Sequence, residues 1–134
     1  MLTHIKRGTV VLATRDSAIE ATVGQAVADI GPRAPRLTKV SDMGDCVVAV
    51  RLLDPSLVLL DDGIQHGPGT GPLQEIRATR PSAPVVYIAS QHSLDLEREV
   101  RRLGVLFYIA RPECEHTLKS FLVGALQGLL RKTG

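Results

Sequence analysis

Short apolar segments alternate with helical patterns along the whole chain, and this alternation limits the folds that the sequence can adopt. Five short segments are rich in Val, Leu and Ile, as buried strands are. The intervals between them repeat apolar residues every three or four positions, which is typical of amphipathic helices. The predicted strands cover residues 9–13, 37–40, 57–60, 84–89 and 105–110.

A helix is predicted after each strand. The first begins at Ser17, which we interpret as an N-cap with Glu20 three residues later in a capping box. The second spans 44–53, the third begins near Thr70, and the fourth follows a Ser93 cap. The last helix has the clearest apolar stripe, formed by Leu118, Phe121, Leu122, Ala125, Leu126 and Leu129.

Five βα units in succession predict an α/β fold, a doubly wound parallel sheet with helices on both faces. We expect one domain over residues 1–134, with its core at about 9–130. Aromatic residues are only 3% of the chain, so the core must consist mainly of Val, Leu, Ile and Ala. The functional crevice of such a sheet lies beyond the carboxyl ends of its strands. The residues that follow the strands there are Thr14, Arg15, Asp16, Asp61, Asp62, Ala89, Ser90 and Arg111.

Several classes of function are disfavoured by the composition. The formal charge of +2 is small and dispersed, which argues against direct nucleic-acid binding. No apolar run reaches membrane-spanning length, so we expect a cytoplasmic protein without membrane contact. Cys46 and Cys114 are interpreted as reduced residues of the core or its boundary. The histidines and cysteines lack metal-ligand spacing, and no nucleophile elbow is present, so we do not expect an enzyme.

Three segments resemble one known family. The segment 55–61 (PSLVLLD) is similar to the strand that carries the phospho-acceptor aspartate of response-regulator receiver (CheY-like) domains. Segment 83–88 (APVVYI) is similar to their fourth strand, and 104–112 (GVLFYIARP) to the ending in which an aromatic precedes Lys-Pro by three positions. The resemblance covers about residues 9–130. It implies the flavodoxin-like strand order 2-1-3-4-5, a role in two-component signalling and Asp61 as the acceptor.

The same resemblance indicates a degenerate site. Family receivers bind Mg²⁺ with a carboxylate pair after the first strand, but here that pair falls on Thr14 and Arg15. The hydroxyl position after the fourth strand falls on Ala89, and the lysine position falls on Arg111. Besides Asp61, only Tyr108 matches cleanly, at the switch aromatic. We therefore expect a pseudo-receiver that is not phosphorylated in a Mg²⁺-dependent way and needs no cofactor.

Arg15 has two interpretations. Its guanidinium could pair with Asp61 and supply the positive charge that a metal provides elsewhere, or it could extend into solvent.

A working receiver is the first alternative. Asp16 and Asp62 could join Asp61 in recruiting a divalent ion, so that Asp61 is phosphorylated through an atypical metal site. Ser90 lies one position after the missing hydroxyl, but we expect it to face away from the site because side chains alternate along a strand.

The second alternative is a flavodoxin-like module that binds a phosphate or nucleotide at the glycine-rich loop 63–71, which includes His66. The loop lacks the Lys-Ser/Thr ending of a P-loop, so a degenerate receiver loop is favoured.

The favoured function is a non-catalytic interaction module. We expect a partner signalling protein or a fused output domain, because residues 131–134 resemble the entrance to a linker in a longer regulator. The fourth helix carries mixed charges, which are typical of a solvated face but would also suit a homodimer through the face formed by helix four, strand five and helix five.

Overall fold

The computed structural model describes residues 8–65, 69–110 and 114–133, and within the last range it describes side chains at 116–128. Five strands alternate with five helices, as predicted. The strands are β1 (Thr9–Ala13), β2 (Arg36–Val40), β3 (Leu57–Asp61), β4 (Val85–Ala89) and β5 (Phe107–Ala110). The helices are α1 (Ser17–Ile30), α2 (Met43–Leu53), α3 (Gly71–Thr79), α4 (Leu94–Leu103) and α5 (Cys114–Thr133), with a short 3-10 turn at Asp62–Gln65.

The strands form one parallel sheet in the order β2-β1-β3-β4-β5, which confirms the predicted fold and strand order. Ala13 pairs with Leu60, Asp61 with Ile88, and Ala89 with Ala110. The carboxyl ends of the four neighbouring strands therefore meet at one edge of the sheet. The candidate residues that follow these strands lie along this edge.

Two apolar layers cover the sheet. Val11, Leu60 and Tyr87 face α2, α3 and α4, while Leu12 and Leu59 face α1 and α5. Every residue of β3 and β4 is buried, because helices cover both faces. The stripe predicted in the last helix contributes Leu118, Leu122 and Leu126 to the second layer. Burial of each large aliphatic side chain stabilises the folded chain by about 1.5–3 kcal/mol. This packing holds the strands, and with them their carboxyl ends, in place.

The predicted cap of the first helix is wrong by one residue. Asp16, not Ser17, is the N-cap, and its Oδ1 accepts hydrogen bonds from the backbone N–H groups of Ala18 and Ile19. A carboxylate suits this position because it also complements the positive end of the helix dipole. Ser93 caps α4 as predicted, with its Oγ accepting from the N–H of Leu96.

Two arginines of the α3 region hold neighbouring loops. The Arg77 guanidinium donates to the carbonyls of Ala83, Leu103 and Gly104, and burial lowers its pKa. Arg80 donates to the carbonyls of Val50 and Arg51 at the end of α2. These contacts join α3 to α2 and to the loop before β5.

Within the described part of the chain, no helix combines the length and apolar character that crossing a bilayer requires.

Candidate functional site at the carboxyl edge of the sheet

Asp61 is held at the end of β3 by two hydrogen bonds from its surroundings. Its carboxylate is buried, with 1% of the residue exposed. The Thr14 hydroxyl donates to Asp61 Oδ2 at 2.6 Å, and the Gly63 N–H donates to Oδ1 at 3.0 Å. A Cβ on Gly63 would lie 3.2 Å from Asp61 Oδ1, so the glycine allows this close approach. The carboxylate of Asp61 therefore has a fixed orientation in this structure.

Thr14 lies between β1 and Asp61 and is itself fixed. Its N–H donates to the Val40 carbonyl at the end of β2, and its Oγ1 accepts from the Asp16 N–H at 3.0 Å. Only 1% of Thr14 is exposed. With its oxygen accepting from Asp16, the hydroxyl proton is directed at Asp61. Thr14 is thus a neutral hydrogen-bond donor at one of the two positions where the family resemblance requires a carboxylate.

Arg15 does not pair with Asp61, so that hypothesis is wrong. Its side chain is exposed, and Nε donates to the Ser41 carbonyl at 2.8 Å. The physical reason lies in the backbone: Thr14 takes the inward direction, and Arg15 is directed over the end of β2. The alternative in which Arg15 extends toward solvent is closer to the structure, although its guanidinium is tethered.

The two auxiliary carboxylates are engaged elsewhere. Asp16 caps α1. Asp62 is fully buried, and its Oδ2 accepts from the Tyr87 hydroxyl at 2.6 Å while Oδ1 accepts from the Ser90 N–H at 2.8 Å. Among the described residues, no group of three or more His, Cys, Asp or Glu side chains is arranged to hold a metal ion.

A line of aromatic side chains extends from Asp62 toward the surface. Tyr87 on β4 stacks on Tyr108 of β5, with ring centroids 5.9 Å apart and planes inclined by 3°. The Tyr108 hydroxyl lies 2.9 Å from Nδ1 of His92, which is exposed. Burial raises the pKa of Tyr87, and the hydrogen bond to Asp62 raises it further. Burial also raises the pKa of Tyr108, followed by the negative charges of nearby carboxylates. Both phenols therefore remain protonated at neutral pH, and the Tyr87 hydroxyl is the donor to Asp62.

The roles of Tyr87, Asp62 and His92 were not predicted from the sequence. The signal was present, because period-two alternation directs Tyr87 and Ala89 to the same face of β4. Ala89 is fully buried and offers no hydroxyl at the edge. Ser90 contributes its backbone N–H to Asp62. Arg111 lies outside the described residues.

The glycine-rich loop is described at both ends, while His66 lies outside the described residues. Its first part forms the 3-10 turn, and Gln65 Nε2 donates to the Gly69 carbonyl at 3.4 Å. Gly69 has a φ of +151°, which favours glycine. The Thr70 hydroxyl then donates to Glu99 at 3.2 Å. These contacts fasten the loop to α4.

Cys46 is buried in α2, and burial, followed by the charges of Glu75 and Asp42, raises its pKa to about 12. Its thiol is free and remains protonated, in agreement with a reduced core residue. The side chain of Cys114 lies outside the described residues.

Sequence comparison finds a transcriptional regulator that is similar to part of this chain. No protein-family model matches the chain. Over 76 residues it is 29% identical to the transcriptional regulatory protein CitB of Klebsiella pneumoniae, an alignment that covers 54% of this chain and 32% of that protein.

Solved structures are similar over nearly the whole chain. A signal receiver domain from Vibrio parahaemolyticus superposes with a TM-score of 0.75 at 20% identity, covering 92% of each chain. A CheY-like receiver domain from Methanospirillum hungatei JF-1 gives 0.74 at 19% identity, covering 96% of this chain and 100% of the other. NtrX from Brucella abortus gives 0.71 at 21% identity, covering 96% of this chain and 28% of that chain. The chain therefore has the fold of response-regulator receiver (CheY-like) domains, and it spans about a third or less of the two longer regulators.

Proposed function

We propose that this chain is a receiver-like module of a two-component-type regulator that acts through protein–protein interaction, without Mg²⁺-dependent phosphorylation of Asp61. The observation that carries the proposal is the 2.6 Å hydrogen bond from the Thr14 hydroxyl to Asp61 Oδ2. It occurs at the position where the family would place a metal-binding carboxylate.

The charges of the possible metal ligands at this edge support the proposal. Mg²⁺ prefers carboxylate and water oxygens in octahedral geometry. Thr14 supplies a neutral hydroxyl, and Arg15 adds a cation one residue later. The other carboxylates of the edge already serve α1 and the Tyr87–Ser90 pair. These residues do not fit a Mg²⁺ site, and phosphoryl transfer depends mainly on positioning and charge neutralisation.

The geometry of Asp61 adds a second argument. A carboxylate oxygen of Asp61 would have to attack phosphorus, and each of its two oxygens accepts a hydrogen bond, Oδ2 from Thr14 and Oδ1 from Gly63. A hydrogen bond to a charged group contributes about 1.5–3 kcal/mol, and by stabilising the carboxylate it makes the Oδ2 oxygen a weaker nucleophile. Ala89 also provides no hydroxyl for a phosphoryl oxygen. The edge is therefore suited to remain in one state.

We further propose that the module works in the cytoplasm beside a fused output domain or a separate signalling partner. The longer architecture of NtrX and CitB, of which comparable segments form a third or less, supports a fused arrangement. The face formed by α4, β5 and α5 is a candidate homodimer surface, since α4 carries acidic residues in its first turn and basic residues in its last.

Acetyl phosphate with and without Mg²⁺, followed by intact-protein mass spectrometry, tests the proposal. The expected result is no Mg²⁺-dependent phosphoryl adduct on the native chain. The matched variant Thr14→Asp/Arg15→Asp restores the acidic pair and is expected to gain an adduct that the further change Asp61→Asn abolishes. An adduct on native Asp61 would instead support a working receiver with an atypical metal site. A shift in melting temperature caused by nucleotides would favour the ligand-binding alternative.

A further inference from the structure

Helix α2 presents a face that no other described element covers. Cys46, Ala49 and Val50 turn toward the sheet and are buried. On the opposite side Val48 and Leu52 lie one helical turn apart, with 42% and 72% of their surfaces exposed. Leu52 is the most exposed of the large hydrophobic residues in the described part of the chain. Two neighbouring apolar side chains of this kind are typical of a contact surface.

The charges on this face lack partners within the chain. Among the described residues, neither the Asp45 carboxylate nor the Arg51 guanidinium makes a hydrogen bond or an ion pair, and both residues are exposed. The charges of α4 differ, since Arg101 pairs with Glu97 at 2.9 Å on the same helix. Asp45 and Arg51 are thus available to a group on another molecule.

The order of these residues is self-complementary. Asp45 and Arg51 each lie three residues from Val48, on opposite sides, while Gly44 and Leu52 each lie four residues away. When two copies of α2 cross antiparallel with a twofold axis at Val48, Asp45 lies opposite the partner's Arg51. Leu52 then lies opposite the partner's Gly44, where the missing Cβ leaves room for its side chain.

We propose that α2 is a self-complementary surface that binds a second copy of this chain antiparallel, centred on Val48. In such an isologous contact every favourable pair occurs twice. Charge complementarity selects the second copy as the occupant, because the same face supplies both signs. The proposal goes beyond the function proposed above and does not depend on whether Asp61 is phosphorylated.

The contact must be weak. A helix of 11 residues is about 16 Å long. The area that it can bury is below the roughly 1,200 Å² of standard stable complexes. We therefore expect a reversible dimer that becomes populated only as the protein concentration rises.

Sedimentation velocity over a concentration series tests the proposal. The native chain is expected to change reversibly from monomer to dimer. Asp45→Arg and Arg51→Asp each place like charges opposite one another and are expected to weaken dimerisation by about tenfold or more. An equimolar mixture of these two variants forms complementary pairs, so it is expected to regain dimerisation, as is the double variant Asp45→Arg/Arg51→Asp. Leu52→Gln is expected to weaken the dimer without changing any charge.

Arg33→Glu is the matched control, since it reverses an exposed charge that lies outside both α2 and the face formed by α4, β5 and α5. It is expected to leave the dimer unchanged, and circular dichroism checks that each variant remains folded. A native chain that stays monomeric throughout the series would overturn the proposal. So would a failure of the mixed variants to associate. Glu97→Arg probes the alternative face, because it reverses a half-buried charge on α4. If this variant abolished the dimer while the α2 variants did not, the α4, β5 and α5 face would be the interface, and the proposed function would stand without the α2 contact.

Discussion

Replacing Thr14 with valine removes the hydroxyl that orients Asp61 while keeping the shape of the side chain. Two hydrogen bonds disappear, the 2.6 Å bond to Asp61 and the 3.0 Å bond from the Asp16 N–H. The first involves a carboxylate and contributes about 1.5–3 kcal/mol, and the second contributes about 1 kcal/mol. Because Thr14 is 1% exposed, water cannot easily replace the lost partner. The free energy of unfolding should therefore fall by about 2–4 kcal/mol.

Urea denaturation followed by circular dichroism measures this loss. With a slope of about 2 kcal/mol/M, the midpoint should decrease by roughly 1–2 M while the slope stays constant. Thr22→Val is the control, because that hydroxyl donates only to the Ala18 carbonyl on the surface of α1. Its effect should stay within about 0.5 kcal/mol. An equally small effect for Thr14→Val would refute the claim that its hydroxyl holds Asp61.

Three further predictions concern Arg77, Tyr87 and Cys46. Arg77→Met should lower the free energy of unfolding by about 2–4 kcal/mol in urea denaturation, because the carbonyls of Ala83, Leu103 and Gly104 lose their donor. Arg77→Lys should recover only part of this loss. Tyr87→Phe should cost about 1–3 kcal/mol at pH 8, since Asp62 loses a buried donor. The pKa of Tyr87 is higher in the folded than in the unfolded chain, so its protonated phenol stabilises the fold below pH 10, and this contribution is progressively lost as the pH rises above 10. The difference in free energy of unfolding between the native chain and Tyr87→Phe should therefore shrink from pH 8 to about pH 10.5. In a Cys114→Ser background, Cys46 should resist a thiol reagent at pH 8 until denaturant is added, because its pKa is about 12. A pH-independent cost for Tyr87→Phe, a neutral Arg77→Met or rapid labelling of the folded chain would each contradict the corresponding contact.

The fold could be predicted because its signals are local and repeated. β1 occupies the predicted residues, and each predicted helix is present. The first residue of a helix is harder to predict where two neighbouring polar residues could both be the N-cap, as Asp16 and Ser17 could at the start of α1. Asp16 prevails because its carboxylate reaches two backbone N–H groups.

The site could be predicted only in part. Sequence spacing was sufficient to bring Thr14, Asp61 and Ala89 to one edge, because parallel strands align their carboxyl ends. It could not show which side chain after β1 turns inward. That direction depends on the hydrogen bond from the Thr14 N–H to the Val40 carbonyl at the end of the neighbouring strand β2, a contact between residues far apart in sequence. For this reason one of the two interpretations of Arg15 gives it the contact with Asp61 that Thr14 makes.

The hydrogen bonds around Asp62 could not be predicted from the sequence for a different reason. Asp62 and Tyr87 are 25 residues apart, and their contact depends on the lateral packing of β3 and β4. An aspartate after a strand suggests an exposed ligand, whereas here it is a buried acceptor. Similarly, Arg77 resembles an ordinary surface residue of an amphipathic helix until the loops that it contacts are known.

The most direct measurement of the central claim is a titration of the ¹⁵N-labelled chain with MgCl₂, followed by the amide shifts of Asp61, Gly63 and Ser90. Under the proposed function, the two positions of the metal-binding acidic pair are occupied by the neutral Thr14 and by Arg15, whose side chain is bound to Ser41. The shifts of these three amides should therefore not change in a saturable way up to about 10 mM, a concentration well above the dissociation constants of weak protein sites for divalent ions. The Thr14→Asp/Arg15→Asp variant should show saturable shifts at the same amides. Saturable shifts in the native chain at low millimolar Mg²⁺ would contradict the account.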